Sequence, residues 1–314
     1  MRSKRQNLPD PLAFAGSDLT TAPPALKPGS VHSASSLHDG NRADSAAIAE
    51  LGRRIADGGV FVLSGAGIST DSGIPDYRDE HGAWKGRQPV QYRDFVDSEA
   101  TRRRYWARSM VGFPLLSNAE PNLGHRAISS LEERGVLSVL VTQNVDGLHR
   151  RAGSERVIDL HGRIDQVKCL GCAAITSRAL LQSELAARNP EFVNAAAIAK
   201  PDGDAELEAV NYDHFELVVC AACGGMLKPD VVFFGENVPP ARVLEAMSTL
   251  ERSRLLLIVG SSLMVYSGYR FARAATRLGV PIAIVNRGKT RADDVAALKI
   301  SGNIADVLGE VAGL

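Results

Sequence analysis

The run Leu255-Leu256-Leu257-Ile258-Val259 is apolar at every position and stops at Gly260-Ser261-Ser262. A strand with one wet face alternates apolar and polar residues. One that does not alternate is buried on both faces, as the strands of a parallel sheet are. Other runs repeat the pattern: Val60-Phe61-Val62-Leu63 ends in Ser64-Gly65-Ala66-Gly67, and Val139-Leu140-Val141-Thr142 ends in Gln143-Asn144-Val145-Asp146. Val157-Ile158-Asp159-Leu160 ends in His161-Gly162, and Ile282-Ala283-Ile284-Val285 ends in Asn286-Arg287-Gly288. Between them helical spacing predicts helices from Asp44/Ser45 to Gly58, near Ser98 to Met110, from Asn122 to Gly135, near Ala241 to Leu250 and from Gly268 to Leu278. Strands alternating with helices predict an α/β fold with a doubly wound parallel sheet. Lys228-Pro229-Asp230-Val231-Val232-Phe233-Phe234 reads as one more strand of that rhythm. Ligands of such sheets lie beyond the carboxyl ends of the strands, so these small and polar endings converge on one crevice.

Of 314 residues 45% are hydrophobic, and 36 Lys plus Arg balance 36 Asp plus Glu. No global charge argues for nucleic acid or a membrane surface as the main partner. No apolar run approaches the ~20 residues that span a bilayer, and the basic start has no apolar signal core behind it. The chain reads as cytoplasmic. Residues 1–43, rich in Ser, Ala, Pro and Asp without period, read as a disordered extension before a domain over 44–314. Gly73 to about Glu99 reads as a long loop over the site. Between the two cysteine pairs lies an acidic excursion outside the main sheet.

Three places carry chemistry. Gly65-Ala66-Gly67-Ile68-Ser69-Thr70 follows a strand and lets backbone N–H groups approach a phosphate, although the third glycine of the dehydrogenase fingerprint is absent and a tight βα connection explains it as well. His161, at a strand end, is the strongest candidate for a base, since a free imidazole titrates near ~6.5. A hydrogen-bonded strand-end histidine is the bland alternative. The only cysteines, Cys169, Cys172, Cys220 and Cys223, form two Cys-x-x-Cys pairs. In a reducing compartment that spacing favours one closed, four-cysteine structural zinc over a redox pair or unrelated buried thiols.

Taken in order, Gly65-Ala66-Gly67-Ile68-Ser69, Gly73-Ile74-Pro75-Asp76-Tyr77-Arg78, Gln143-Asn144-Val145-Asp146, His161-Gly162, the cysteine pairs, Lys228 to Glu236, Gly260-Ser261-Ser262-Leu263 and Val285-Asn286 resemble the sirtuins, NAD-dependent protein deacylases. The resemblance runs from about residue 45 to the C-terminus and implies a Rossmann-like sheet with a small zinc-binding lobe at about 165–227, NAD and one Zn²⁺ as cofactors, and acyl-lysine protein substrates. It assigns His161 and Asn144 to catalysis. To NAD it assigns Gly65, Ala66, Gly67, Ser69, Thr70, Ile74, Asp76, Tyr77, Arg78, Gln143, Asn144, Asp146, Gly260, Ser261, Ser262, Asn286, Arg287, Gly288 and Ile304. Along the peptide it implies Val231, Phe233, Gly235 and Glu236.

Departures are Tyr77 where Phe is common, Ser261 for Thr, and Ser267 for Pro. The long excursion and Tyr105-Trp106-Ala107-Arg108 resemble the class II branch, so the acyl group is open, and Tyr105 with Arg108 is the candidate reader of it. Protein ADP-ribosylation on the same NAD residues is the nearest alternative. A nucleic-acid-binding zinc ribbon would need a basic face where this chain is acidic.

Overall fold

In the computed structural model the described residues are 45–86, 89–193, 197–199, 205–207 and 210–314; the extension expected over 1–43 lies outside them. The chain runs through α1 (Ser45–Ala56), β1 (Val60–Ser64), a 3-10 turn (Ala66–Ser72), α2 (Tyr92–Asp97), α3 (Glu99–Ser117), α4 (Leu123–Glu133) and β2 (Leu137–Thr142). Next come α5 (Leu148–Arg151), β3 (Val157–Asp159), β4 (Gly162–Cys169), β5 (Ile175–Ser177), α6 (Arg178–Arg188), β6 (Ala197–Ala199), β7 (Ala205–Leu207) and β8 (Leu227–Val231). The last part is α7 (Pro240–Leu250), β9 (Leu255–Val259), α8 (Tyr266–Leu278), β10 (Ile282–Val285), β11 (Leu298–Ile300) and α9 (Ile304–Ala312).

Six parallel strands pair in the order β11-β10-β9-β1-β2-β3. The chain works outward from β1 through β2 and β3, then returns to the other side of β1 with β9. That reversal beside β1 is the switch point at which open α/β sheets bind ligands. Alternate residues of each central strand serve opposite layers. Val60, Val62, Leu255 and Leu257 pack with residues of α1, α4 and α9. Phe61, Leu63, Leu256 and Ile258 pack with Ala246 and Leu250 of α7 and Phe271 and Ala275 of α8. Both faces are covered, which is why these runs carry no polar alternation.

Three expectations are corrected. Leu227–Val231 is not a strand of the parallel sheet; β8 pairs antiparallel with β4, which also pairs antiparallel with β5, in a separate three-stranded sheet. The 73–99 stretch is not all loop, because Tyr92–Asp97 is helical and seats Phe95 against Tyr105 and Phe233. The helix expected to stop near Met110 runs on through Pro114 to Ser117. Proline has no N–H for the carbonyl four residues back. Here the Met110 carbonyl accepts instead from Gln182 Nε2 of α6 at 2.7 Å. That contact ties α3 to the small lobe, as does Arg178, whose buried guanidinium lies 4.5 Å from the Phe113 ring centre and donates to the Ser109 carbonyl at 3.2 Å.

Candidate active site

The carboxyl ends of β1, β2, β9 and β10 open into one cleft of about 880 Å³. Gly65, Ala66, Gly67, Ser69 and Thr70 line it after β1, Gln143, Asn144 and Asp146 after β2, Gly260, Ser261 and Ser262 after β9, and Asn286, Arg287 and Gly288 after β10. Ile304 comes in from the start of α9, and Ile74, Asp76, Tyr77 and Arg78 from the loop after β1. His161, Tyr105, Val231, Phe233, Gly235 and Glu236 line the remaining wall; Arg108 does not line the cleft.

The two central turns touch backbone to backbone. Gly67 N donates to the Gly260 carbonyl at 2.8 Å, and a Cβ on Gly65 would sit 2.8 Å from that oxygen. Gly260 also has φ +61°, a region that costs L-residues with a side chain. The glycines are there because two strand exits cross at van der Waals distance, leaving a bare ridge of backbone along the cleft.

Below the ridge the floor is polar and bonded throughout except at His149 Nδ1, which is buried without a partner. Asn144 Nδ2 donates to the Gly65 carbonyl at 3.2 Å and to Ser69 Oγ at 3.0 Å, and Ser69 Oγ donates to Asp146 Oδ2 at 2.7 Å. Asp146 Oδ1 accepts from Leu148 N at 2.9 Å. Burial nevertheless pushes the Asp146 carboxyl up, outweighing the hydrogen bonds that pull it down. His125 Nδ1 accepts from Asn122 N at 3.3 Å, so its proton sits on Nε2, facing Ser69 Oγ at 3.4 Å. Burial pushes His125 down to about 4, and buried His149, whose Nε2 lies 2.8 Å from Ser64 Oγ, well below its ordinary value.

His161 stands at the junction of the two sheets. Its Nδ1 lies 2.8 Å from the Gln143 carbonyl oxygen, which can only accept, so Nδ1 carries the proton and Nε2 the lone pair. Burial, helped by the charges of Arg242 and Arg270, pushes the ring down to about 4 against the pull of the Gln143 carbonyl. The ring is neutral at pH 7, and its basic Nε2 faces Ser267 Oγ at 2.8 Å.

The opposite wall is braced by ions. Glu236 Oε2 accepts from Phe233 N at 2.9 Å and from Lys228 Nζ at 3.0 Å, while the buried Lys228 ammonium sits 4.6 Å from the Phe233 ring centre and also bonds the Val231 carbonyl. Glu236 therefore shapes the 231–236 turn. Arg78 folds back on its own loop, donating to the Gly82 carbonyl at 2.7 Å with its guanidinium 4.1 Å from the Trp84 ring centre.

The four cysteine sulfurs lie within 4.8 Å of one another. Cys169 and Cys223 Sγ are 3.5 Å apart and Cys172 and Cys220 Sγ 3.8 Å. Four thiolates at ~2.3 Å from zinc stand ~3.8 Å apart on a tetrahedron, whereas a disulfide needs ~2.05 Å. The spacing fits one zinc and no disulfide. The Cys172 N–H, and after it that of Gly171, points at Cys169 Sγ and pushes that thiol down to about 6, toward the form a metal takes.

Residues 65–267 match the model of the Sir2 family. The chain belongs to that family. An "NAD-dependent protein deacetylase" of Xanthomonas campestris pv. campestris is 55% identical over 249 residues, 79% of this chain and 85% of the relative. An "NAD-dependent protein deacetylase 1" of Streptomyces coelicolor is 48% identical over 265 residues, 84% of this chain and 89% of the relative. Among solved structures, "Sir2-p53 peptide-NAD+" superposes with TM-score 0.67 at 29% identity, over 83% of this chain and 95% of that one. "Sir2 bound to acetylated peptide" gives 0.66 at 29%, over 84% and 96%. For this Sir2-family chain the sheet, the four-cysteine cluster and the cleft are thus what the motif order implied. Sequence reasoning missed Trp84, Ser267 and Arg270, which also line the cleft. Ser267 carried a signal, as a departure from the family pattern. Trp84, bridged to Arg78, and Arg270, in the first turns of α8, lie in no motif that the sequence offers.

Proposed function

We propose that the chain is an NAD-dependent protein lysine deacylase that moves the acyl group of a modified lysine to ADP-ribose and releases nicotinamide. The observation that carries this reading is His161: a neutral imidazole with its proton pinned on Nδ1 and its Nε2 lone pair within the cleft that gathers all four strand endings. The bare ridge Gly65–Gly67–Gly260 lets a pyrophosphate approach the backbone, because no Cβ stands in the way, although the N–H groups of these three glycines are themselves engaged by the carbonyls of Val259, Gly260 and Val285. Ser69, Asn144 and Asp146 offer a buried donor and acceptor set that suits a carboxamide. Gln143, held by a 2.7 Å bond to Ser261 Oγ, and Asn286, with Ser262, Arg287 and Gly288, would take ribose and adenine contacts.

When bound, NAD supplies a nicotinamide leaving group and an electrophilic ribosyl carbon for the acyl oxygen. Around it, Asn144 and Asp146 orient the carboxamide, and Gln143 orients the adjoining ribose. His161 Nε2 takes the proton of a ribose hydroxyl, a positioned base contributing ~10²- to 10⁴-fold. Val231, Phe233, Gly235 and Glu236 present the edge beyond β8 to the substrate backbone, in the manner of an added strand. The zinc site is closed by four protein ligands and holds the lobe without taking part in the reaction.

The finer assignments belong to the same reading. Tyr105, which lines the cleft, is with Arg108 of the same helix the candidate reader of the acyl group. Cysteine usage supports a reducing, cytoplasmic setting; among the described residues no helix is long and apolar enough to cross a membrane. Neither the ADP-ribosyltransferase nor the zinc-ribbon alternative gains support from the deacetylase relatives.

The test is a panel of acetyl-, succinyl- and longer acyl-lysine peptides incubated with NAD. Free nicotinamide, deacylated peptide and acyl-ADP-ribose should appear together. Nicotinamide release with label on protein and no deacylated peptide would favour ADP-ribosylation instead.

A further inference from the structure

Ser267 is the second residue of α8, and its Oγ lies 2.8 Å from Nε2 of His161. With the ring proton fixed on Nδ1, Nε2 has one lone pair and no hydrogen, so the serine hydroxyl is the donor. The helix start is built to bring it there. A Cβ on Gly268 would collide with the Gln143 side-chain amide, so glycine lets the first turn of α8 press on the residue whose backbone carbonyl holds Nδ1. One residue, Gln143, thereby sets both ends of the imidazole, one directly and the other through the helix that seats on it.

We propose that Ser267 is the positioning residue of the base: its hydroxyl holds the Nε2 lone pair of His161 toward the cleft at rest and yields it to the ribose hydroxyl when NAD binds. The inference rests on the reading of His161 as the base. A neutral imidazole offers one acceptor site at Nε2, so the serine and ribose O–H groups occupy it in turn. When the ribose O–H bond breaks, its proton forms the new N–H bond at Nε2. Ser267 then rotates its own O–H away and accepts from the imidazolium with an oxygen lone pair. A hydroxyl can partner both protonation states; an alanine or proline can partner neither.

The charged groups around the ring leave this task to the hydroxyl. Arg270 is one turn on in α8, with its Nε buried and without a partner and its guanidinium 5.2 Å from the Tyr266 ring centre. Arg242 of α7 lies 3.6 Å from Asp230, at the exit of β8. On β3, Asp159 is engaged by Arg150 at 3.0 Å, and beyond β8 Glu236 is engaged by Lys228. The two arginines disfavour imidazolium, and both hydrogen bonds of the ring go to Gln143 and Ser267. An imidazolium formed there needs a local acceptor, and Ser267 Oγ is within reach.

The experiment compares the full chain with Ser267→Ala, Ser267→Pro, which suits a first helical turn, and Ser267→Thr, which keeps the hydroxyl. The ¹⁵N resonances of His161 in the ligand-free protein report tautomer and titration independently of turnover. In the alanine and proline variants the ring should titrate about one pH unit lower than in the parent, because the imidazolium loses a charge-assisted acceptor stronger than the hydroxyl's bond to the neutral ring, a difference of about a factor of ten. Deacylation kcat at pH 7 should fall about tenfold. Nicotinamide exchange, which precedes the base, should not change, and threonine should restore both readouts. An identical ring titration in parent and Ser267→Ala would overturn the proposal, as would a loss of kcat that threonine does not rescue. A parent inactive on every peptide, with the ring shift intact, would instead overturn the deacylase reading.

Discussion

The two walls of the cleft are built on different principles. The parallel sheet is held by apolar contact on both faces, with Phe61, Val62, Leu63, Leu256, Leu257 and Ile258 wholly buried, each such side chain contributing about 1.5–3 kcal/mol. The small lobe has a three-stranded sheet, β5-β4-β8, of which β5 is exposed at every residue. The lobe's residues Ile164, Val167, Leu181, Leu185, Phe215 and Leu227 share an apolar core with Phe95, Tyr105 and Trp106, and to this it adds the four-cysteine cluster, the Lys228–Glu236 pair and the Gln182 and Arg178 contacts to α3. The sheet is therefore held by apolar burial, whereas the lobe adds to an apolar core a few polar and metal contacts that can be removed singly.

The largest blow to that contrast is removal of the metal. Structural zinc carries about 10–16 kcal/mol of apparent binding energy, part of it folding energy. Chelation, or Cys172→Ser, should melt the lobe and end deacylation while the sheet keeps its helical circular dichroism; a metal-free protein with full activity contradicts the division. Acid should strike the other wall. His125 and His149 are buried neutral beneath the sheet, so the unfolded chain binds protons from pH 6.5 downward and the folded one, for His125, only near 4. Stability conferred by these rings is full above pH 6.5 and is lost as pH falls toward 4, roughly 3 kcal/mol for His125 at ~1.36 kcal/mol per unit. Asp146, raised by burial, shifts stability the other way from its ordinary 3.8 upward and blunts the fall. Urea midpoints from pH 7 to 4.5 measure the net slope; a flat profile would show those histidines charged or exposed.

Breaking the ion pair sharpens the comparison further. Lys228→Met leaves Glu236 without its cation but partly open to water, so about 2 kcal/mol should be lost, below the ~3–5 of a fully buried pair. The loss should raise KM for peptide and leave NAD affinity alone, as isothermal titration would register. Gly260→Ala costs about 1–2 kcal/mol for a left-handed backbone with a side chain and, on top of it, a collision of the new Cβ with backbone at Ile68 N. Its new Cβ points at Ile68 N and Gly67, so NAD binding should weaken while zinc content stays at one per chain; unchanged NAD affinity would argue against the backbone ridge.

The same contrast governs what could be read without coordinates. Strands such as Leu255–Val259 and their endings are legible because burial on both faces leaves an unbroken apolar run. The lobe wrote no such signal. Lys228 to Phe234 looks like a parallel strand because Val231-Val232-Phe233-Phe234 is apolar, yet Val231 is the last residue paired with β4, and the rest turns along the cleft with a single bridge from Phe234 to Gln91. β4 hides among Arg163, Asp165, Gln166 and Lys168, whose half-exposed side of a two-faced sheet looks like loop. α3 outruns its proline because Gln182, 72 residues distant, supplies the missing donor, a contact outside any local window. Of the site, the strand-end residues were legible by position and the cysteines by spacing. Of the pair Tyr105 and Arg108, Tyr105 is buried against Phe95 and Phe233 at the cleft, while Arg108 falls outside its lining.

The most direct test of the central claim is a single-turnover experiment with excess enzyme, NAD and an acyl-lysine peptide, comparing the parent with His161→Ala. The parent should convert peptide to deacylated product with equal nicotinamide and acyl-ADP-ribose. His161→Ala should keep its fold and bind both substrates yet yield deacylated peptide at least ~10²-fold more slowly. Parental rates in the alanine variant, at an unchanged melting temperature, would contradict the assignment of His161 as the base.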